Sequence, residues 1–199
     1  MSRASDKTEA FLQQLRPLQR PLEVYCRRML RDRSLVEDVF QTAVAAAFTQ
    51  YRGGVAVKDF KAWIFRFVTL ETFNRNRKHE PIALGEAAAD LPDEQPWGAA
   101  IPEATFEAML EDPDVVLEHF DDVVVEALEQ LPPFERTVLL LRAVGEFSYK
   151  EIHELLAMPL GSVIGYLSRA RKRLRIVLAD YAVQRGWLPG GPESEGPSS

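Results

Sequence analysis

Residues 131–175 read LPPFERTVLLLRAVGEFSYKEIHELLAMPLGSVIGYLSRARKRLR, and the spacing of apolar residues along this stretch decides the fold. It predicts one helix, then a short helix, a tight break and a longer basic helix. Ser148 and Glu151 stand three apart, so Ser148 can cap the short helix while Glu151 reaches back. Ile152, Leu155 and Leu156 form its inward face, and the break falls at Ala157-Met158-Pro159. The long helix starts near Leu160 or Gly161, with Val163, Leu167, Ala170, Leu174 and Val177 as its apolar seam. Tyr166, Arg169 and Arg173 share an outer face at i, i+3 and i+7, flanked by Arg171, Lys172 and Arg175. A short helix, a tight turn and a longer basic helix are the build of a helix-turn-helix DNA reader. Arginine can donate bidentately to a guanine edge, which makes Arg169, near the leading end, the best base-contact candidate. Arg171 to Arg175 come late in the helix and are placed to grip backbone phosphates.

The bulk composition argues the other way. The chain has 199 residues, a formal charge of -6 and a pI near 5.2, whereas a DNA-binding domain is usually basic. The charge is unevenly spread. Residues 1–80 carry 15 Lys and Arg against 9 Asp and Glu, and residues 131–199 carry 9 against 7. Residues 81–130 hold 14 acids and no Lys or Arg. Two basic blocks therefore flank an acidic segment, and the net charge describes neither. Residues 81–111 are rich in Pro, Ala, Gly and acid, a composition that predicts an acidic flexible linker. Asp112-Pro113 reads as an N-cap and first-turn proline, followed at helical spacing by Val116, Leu117, Phe120, Val123, Val124, Ala127 and Leu128 up to Leu131-Pro132-Pro133. The tail over 181–199 has a disordered composition.

Residues 7–78 read as four helices with no strand signal, over about 6–15, 17–30, 34–51 and 57–78. On the third, Leu35, Val36, Val39, Phe40, Ala43, Val44, Ala47 and Phe48 form the buried stripe. Glu37, Asp38, Gln41, Thr42 and Ala45 make an acidic-amide strip on the other side, an ordinary solvated face or a dock for a basic helix. The fourth helix interleaves Phe60, Trp63, Phe65, Phe67 and Phe73 with Lys58, Lys61, Arg66, Arg75, Arg77 and Lys78. Rings among cations suit melted DNA, where bases stack and cations hold phosphates. Phe60, Ile64 and Phe67 share one face, so most rings are expected in the core with one or two exposed. The expected architecture is all-α: two small helical domains, over 6–80 and 112–180, joined by the linker.

LPPFERTVLLLR, FSYKEIHELL and MPLGSVIGYLSRARKRLR together resemble the fourth conserved region of bacterial sigma factors. VEDVFQTAVAAAF and FKAWIFRFVTLETFNRNRK resemble their second region. With these two regions and a linker, the chain is similar to the extracytoplasmic-function (ECF) group. The resemblance implies a protein that binds core RNA polymerase, recognises −35 and −10 promoter elements and initiates transcription. It implies that Glu37, Asp38, Gln41 and Thr42 dock on the polymerase. Lys58, Lys61, Trp63, Arg66, Asn74, Arg75, Arg77 and Lys78 would meet −10 DNA. Ser162, Tyr166, Arg169, Arg171, Lys172, Arg173 and Arg175 would meet −35 DNA. An anti-sigma factor is a further partner that the resemblance allows, and the linker is electrostatically suited to mimic RNA in a polymerase channel.

The chain departs from the family pattern at several positions. Thr42 and Val44 stand for a carboxylate and an aromatic, and Leu70 and Asn74 for an Asn and an Asp in the −10 helix. His153 replaces a small residue and Ala157 a glycine; at positive φ that alanine would cost about 1 kcal/mol. Ile164, Gly165 and Tyr166 replace a run that is often polar or basic, so −35 readout is expected to be unusual. The competing reading is a helix-turn-helix regulator whose N-terminal helices serve another interaction. An enzyme has little support: no phosphate-cradling glycine loop, no nucleophile motif, no metal spacing among His79, His119 and His153, and no cofactor. The lone Cys26 excludes an internal disulfide and fits a reducing cytoplasm. The first residues lack an apolar signal core and no run approaches membrane-spanning length, so membrane insertion is not expected.

Overall fold

The computed structural model describes residues 2–79 and 122–179. The expected linker over 81–111, the helix start at Asp112-Pro113, His119 and the tail lie outside the described residues. Helix α1 (Ser2–Leu15) passes through a 3-10 turn at Arg16–Leu18 into α2 (Gln19–Met29). Pro17 explains the turn, because proline offers no backbone donor to continue a helix through it. A second 3-10 turn, Arg33–Leu35, begins at Asp32, whose carboxylate accepts from the Ser34 amide at 2.9 Å. Then come α3 (Val36–Arg52) and α4 (Phe60–His79). The C-terminal half holds α5 (Asp122–Glu129), α6 (Pro133–Ala143), α7 (Tyr149–Leu156) and α8 (Leu160–Val177). The described residues are helical with no strand, as the all-α reading expected. α4 starts at Phe60 rather than Val57, because the Asp59 carboxylate accepts from the Ala62 amide at 3.0 Å and caps the helix there.

In the N-terminal half α3 packs on α4, and α1 and α2 close over them. The expected stripe of α3 holds: Val39, Ala43 and Ala47 are buried and its other members half-buried. Phe11 is buried with its ring centroid 5.1 Å from Phe48 and 5.3 Å from Phe60. Tyr25 is fully buried, its hydroxyl 2.9 Å from the Thr69 hydroxyl, and burial pushes the phenol well above its ordinary pKa. Burial likewise pushes the Cys26 thiol up to about 12, so it stays protonated and unreactive at neutral pH.

The C-terminal half is the expected helix-turn-helix. The Ser148 hydroxyl accepts from the Glu151 amide at 3.3 Å, and Glu151 Oε2 accepts from the Ser148 amide at 2.7 Å. These bonds complete the capping box and hold the Glu151 carboxyl below its ordinary pKa. Ala157 closes α7 in the left-handed region, at φ 51° and ψ 42°. The half-buried His153 spans this turn, its Nδ1 in hydrogen-bond contact with the Met158 carbonyl. On α8, Val163, Leu167, Ala170 and Leu174 are buried as expected. Val177 is not part of the seam. It is 40% exposed, and Leu178, which turns out of the helix at φ -92°, is buried instead.

The two halves pack on each other through one continuous core. α6 rests on α2 and α7 on α4. The buried Phe147 ring lies edge-on to Phe65 with centroids 5.1 Å apart, and Lys61 Nζ sits 5.1 Å from the Phe147 centroid. Gly145 makes this possible: a Cβ there would fall 2.6 Å from the Phe147 ring and 2.7 Å from the Leu141 carbonyl. Thr137 Oγ1 reaches Met29 Sδ at 3.7 Å, and Arg33 pairs with Glu129 at 3.1 Å.

A left-handed alanine carries a steric cost that glycine lacks. Ala157→Gly is therefore expected to stabilise the protein by about 0.5–1 kcal/mol, read as a raised urea midpoint. An unchanged or lowered midpoint would contradict the reading of strain at this turn.

Candidate nucleic-acid interface

The acidic-amide strip of α3 forms because α4 covers only the opposite face. Glu37, Asp38, Gln41 and Thr42 are all exposed. Gln41 donates to Glu37 at 3.0 Å, one helical turn away. Asp38 has a different neighbour: its Oδ2 lies 2.7 Å from Arg75 Nη2 of α4, which also stands 3.6 Å from Glu71. Asp38 and Arg75, expected to meet different partners, are thus paired with each other across the two helices. Contacts 37 residues apart leave no trace in a local sequence pattern.

On α4 the rings are more enclosed than expected. Phe60 and Phe65 are buried, and Trp63, Phe67 and Phe73 are half-buried. The Trp63 ring is 5.0 Å from Phe67 and 5.8 Å from Phe60. None of the five is open to stack freely on a base; the large exposed apolar side chain of this helix is Leu70, at 53%. Lys58 is exposed ahead of the helix, whereas Lys61 is half-buried and 3.8 Å from Glu146. Arg66, Asn74 and Arg77 are exposed and line one side of a cleft of about 300 Å³ with Leu70 and Phe73. Phe134, Leu155 and Leu156 form its other wall. The Lys78 side chain lies outside the described residues. Asn76, which sequence reasoning passed over, donates to the Met29 carbonyl at 2.9 Å and ties α4 to the end of α2.

On α8 the basic residues divide. Lys172 is exposed; Arg171 and Arg175 are half-buried; Ser162 is half-buried in the first turn. Tyr166, Arg169 and Arg173 share a face, as expected, but that face turns partly onto α6. The Tyr166 ring stacks on Phe134 with centroids 5.7 Å apart and planes 23° apart. Arg169 Nε donates to Glu135 Oε1 at 3.1 Å, and Arg173 Nε lies 3.0 Å from Glu135 Oε2. Arg169 Cζ is 4.8 Å from the Tyr166 centroid. Sequence alone does not single out Glu135, because a lone acid in the first turn of a helix gives no signal that it faces a helix residue 34 positions away.

Phe134 also touches Phe73 of α4, with centroids 5.5 Å apart. An unbroken run of ring contacts, Phe73 to Phe134 to Tyr166, therefore joins the two helices richest in candidate DNA contacts. Among the described residues no group of three or more His, Cys, Asp and Glu side chains could hold a metal, and no helix is long and apolar enough to cross a membrane.

Residues 121–174 match the protein family described as sigma-70, region 4. Across 96% of its length the chain is 27% identical to the ECF RNA polymerase sigma factor SigG of Mycobacterium tuberculosis. It covers 55% of SigG, so it spans about half the length of that relative. It is 28% identical to the ECF RNA polymerase sigma factor SigW of Bacillus subtilis over 78% of this chain and 81% of SigW. Among solved structures it resembles the sigma factor RpoE of Bartonella quintana, crystallised with the anti-sigma factor NepR. The TM-score is 0.63 at 19% identity, covering 86% of this chain and 98% of that one. It also resembles CnrH in complex with the cytosolic domain of CnrY, with a TM-score of 0.59 at 21% identity over 87% and 90% of the two chains. These structural likenesses speak for the all-α fold, and the family and sequence matches carry the kinship. Residues 121–174 carry a sigma-70 region 4 domain, and the chain over most of its length is similar to extracytoplasmic-function sigma factors.

Proposed function

We propose that the protein is a cytoplasmic, non-enzymatic sigma subunit that binds core RNA polymerase, recognises −35 and −10 elements and initiates transcription. The observation that carries this reading is the pairing, in one chain, of a helix-turn-helix with a second helix bearing exposed arginines and an amide. Residues 6–80 act as the polymerase and −10 unit, 81–111 as the acidic linker, 112–180 as the −35 unit and 181–199 as a tail. Glu37, Gln41 and Thr42 are exposed as a docking strip requires, and Arg66, Asn74 and Arg77 are the −10 contacts best supported by their exposure.

The closed packing of the two halves has a consequence for this function. The names of the two elements put them about two dozen base pairs apart, on the order of 80 Å along B-form DNA. Helices α4 and α8 are bridged through Phe134 by ring contacts of 5.5 and 5.7 Å, so they cannot reach both elements at once. Arg66, Asn74 and Arg77 moreover face the cleft closed by α6 and α7. Reading a promoter therefore requires the halves to separate. The structural neighbour crystallised with an anti-sigma factor makes a partner of that kind a natural keeper of the closed form.

Run-off transcription with core polymerase from the native cell over genomic fragments tests the reading and returns the promoter. Discrete transcripts that depend on the protein are expected. Tight binding to duplex DNA with no transcription by core enzyme would instead favour the helix-turn-helix regulator. A second outcome concerns the strip on α3. The pair Glu37→Lys and Gln41→Lys reverses its charge at exposed positions and is expected to weaken core-polymerase binding about tenfold or more. Surface changes of this kind leave folding stability within about 0.5 kcal/mol. Unaltered polymerase binding in a pull-down titration would remove the strip from the docking face.

A further inference from the structure

Glu135 is a carboxylate with a side chain only 2% exposed, in the first turn of α6. Burial of a lone carboxylate is strongly unfavourable unless cations neutralise it at close range. Here two arginines of α8, four residues apart, close on it: Arg169 Nε at 3.1 Å and Arg173 Nε at 3.0 Å. Their side chains remain 37% and 34% exposed, so each guanidinium is anchored at its inner edge and open at its outer one.

Arg169 is held by more than the carboxylate. The Tyr166 ring lies beneath its guanidinium at 4.8 Å, a cation–π distance, and Tyr166 is itself stacked on Phe134. Gly165 leaves the space that Arg169 occupies, since a Cβ there would fall 3.3 Å from Arg169 Nη1. Gly165 and Tyr166, which replace a commonly polar run, thus make a seat for one arginine. Glu135 takes the Nε–H, and the bidentate contact to guanine O6 and N7 can use the two Nη groups, which this leaves over. A side chain held in its binding geometry loses less freedom when it binds.

We infer that Glu135 is a positioning residue for promoter readout: with Tyr166 it orients Arg169 so that the Nη edge reads a guanine of the −35 element. The inference rests on the proposed sigma function and on α8 entering the major groove. It accounts for an acid at the root of a DNA-reading helix, where its charge alone would oppose phosphate binding. It also assigns specificity to one fixed arginine, with Lys172 and its neighbours left for the backbone.

The test uses holoenzyme assembled from core polymerase and the full chain, on a promoter recovered by the run-off selection. Each −35 and −10 base pair is substituted in turn. Wild type is expected to prefer guanine at one −35 position by roughly tenfold or more. Glu135→Gln should shrink that preference to about threefold or less while −10 discrimination is unchanged. Arg169→Lys should abolish the same preference, and the double variant should match Arg169→Lys alone, because Glu135 acts through Arg169. Tyr166→Leu, which keeps the bulk but loses the ring, should erode the same preference and serves if Glu135→Gln does not fold. Undiminished guanine preference in folded Glu135→Gln, an equal fall on every template, or additive losses in the double variant would overturn the inference. So would a −35 element without guanine dependence. If wild type supports no transcription at all, the sigma reading itself fails, a result distinct from these.

Discussion

Helix α6 is packed from both sides, by the helix-turn-helix and by the N-terminal half. From Glu135 to Leu141 all seven consecutive residues are buried, whereas a surface helix would bury one stripe. One side of α6 carries the helix-turn-helix, with α8 against it and α7 beside it; the other rests on α2. The apolar side chains Val138 to Leu141 satisfy that double burial simply. The three polar residues ahead of them do it by specific means. Glu135 is neutralised by two arginines, and Thr137 donates to the Pro133 carbonyl at 2.7 Å. Arg136 differs. It is 1% exposed and lies near Tyr25, burial depresses its pKa, and among the described residues its Nε and Nη1 have no hydrogen-bond partner. A buried, incompletely paired guanidinium opposes the packing by several kcal/mol, against the ring contacts of Phe65 with Phe147 and Phe73 with Phe134 that favour it. Separation of the halves would return water to Arg136. The contact is thus balanced between opposing terms, as a contact made to open would be.

What could be read in the sequence was what is local. The capping box at Ser148 and Glu151, the break at Ala157 and the seam up to Leu174 each rest on residues within a turn or two of one another. Chemistry and spacing there specify geometry, and the positive φ of Ala157 follows from a turn that glycine commonly fills. What escaped was tertiary. The pairs Asp38–Arg75 and Glu135–Arg169 join charges on different helices, and a solvated face and a paired face have the same composition. The sequence expects most rings of α4 in the core and one or two exposed; Phe60 and Phe65 are buried, the other three are half-buried, and the large exposed apolar residue is Leu70, because the cluster around Phe11 and Tyr51 draws Trp63 inward.

The candidate site changes character accordingly. Sequence alone presents two basic helices as two open DNA-binding surfaces. In the folded chain the outer face of α8 is tied to α6 through Glu135 and Phe134, and the exposed arginines of α4 look into a cleft walled by α6 and α7. On the proposed function, promoter recognition would then be a competition in which polymerase and DNA replace contacts within the chain. The interior of the helix-turn-helix would survive opening, since the Glu135 seat and the capping box lie wholly within the C-terminal half. The Phe73–Phe134 contact and the Lys61–Glu146 pair would not.

The halves are packed together in the free chain and, on the proposed function, part when both promoter elements are engaged. The distance between spin labels at exposed Gln13 and Glu154, each replaced by cysteine, tests it most directly; native Cys26 is fully buried and would not compete for label. Closed packing gives one narrow short-distance distribution for the free protein, lengthening by roughly 20 Å or more in the complex with core polymerase and promoter DNA, given elements on the order of 80 Å apart. An unchanged distance in a transcribing complex would contradict it, as would a long, broad distribution in the free protein.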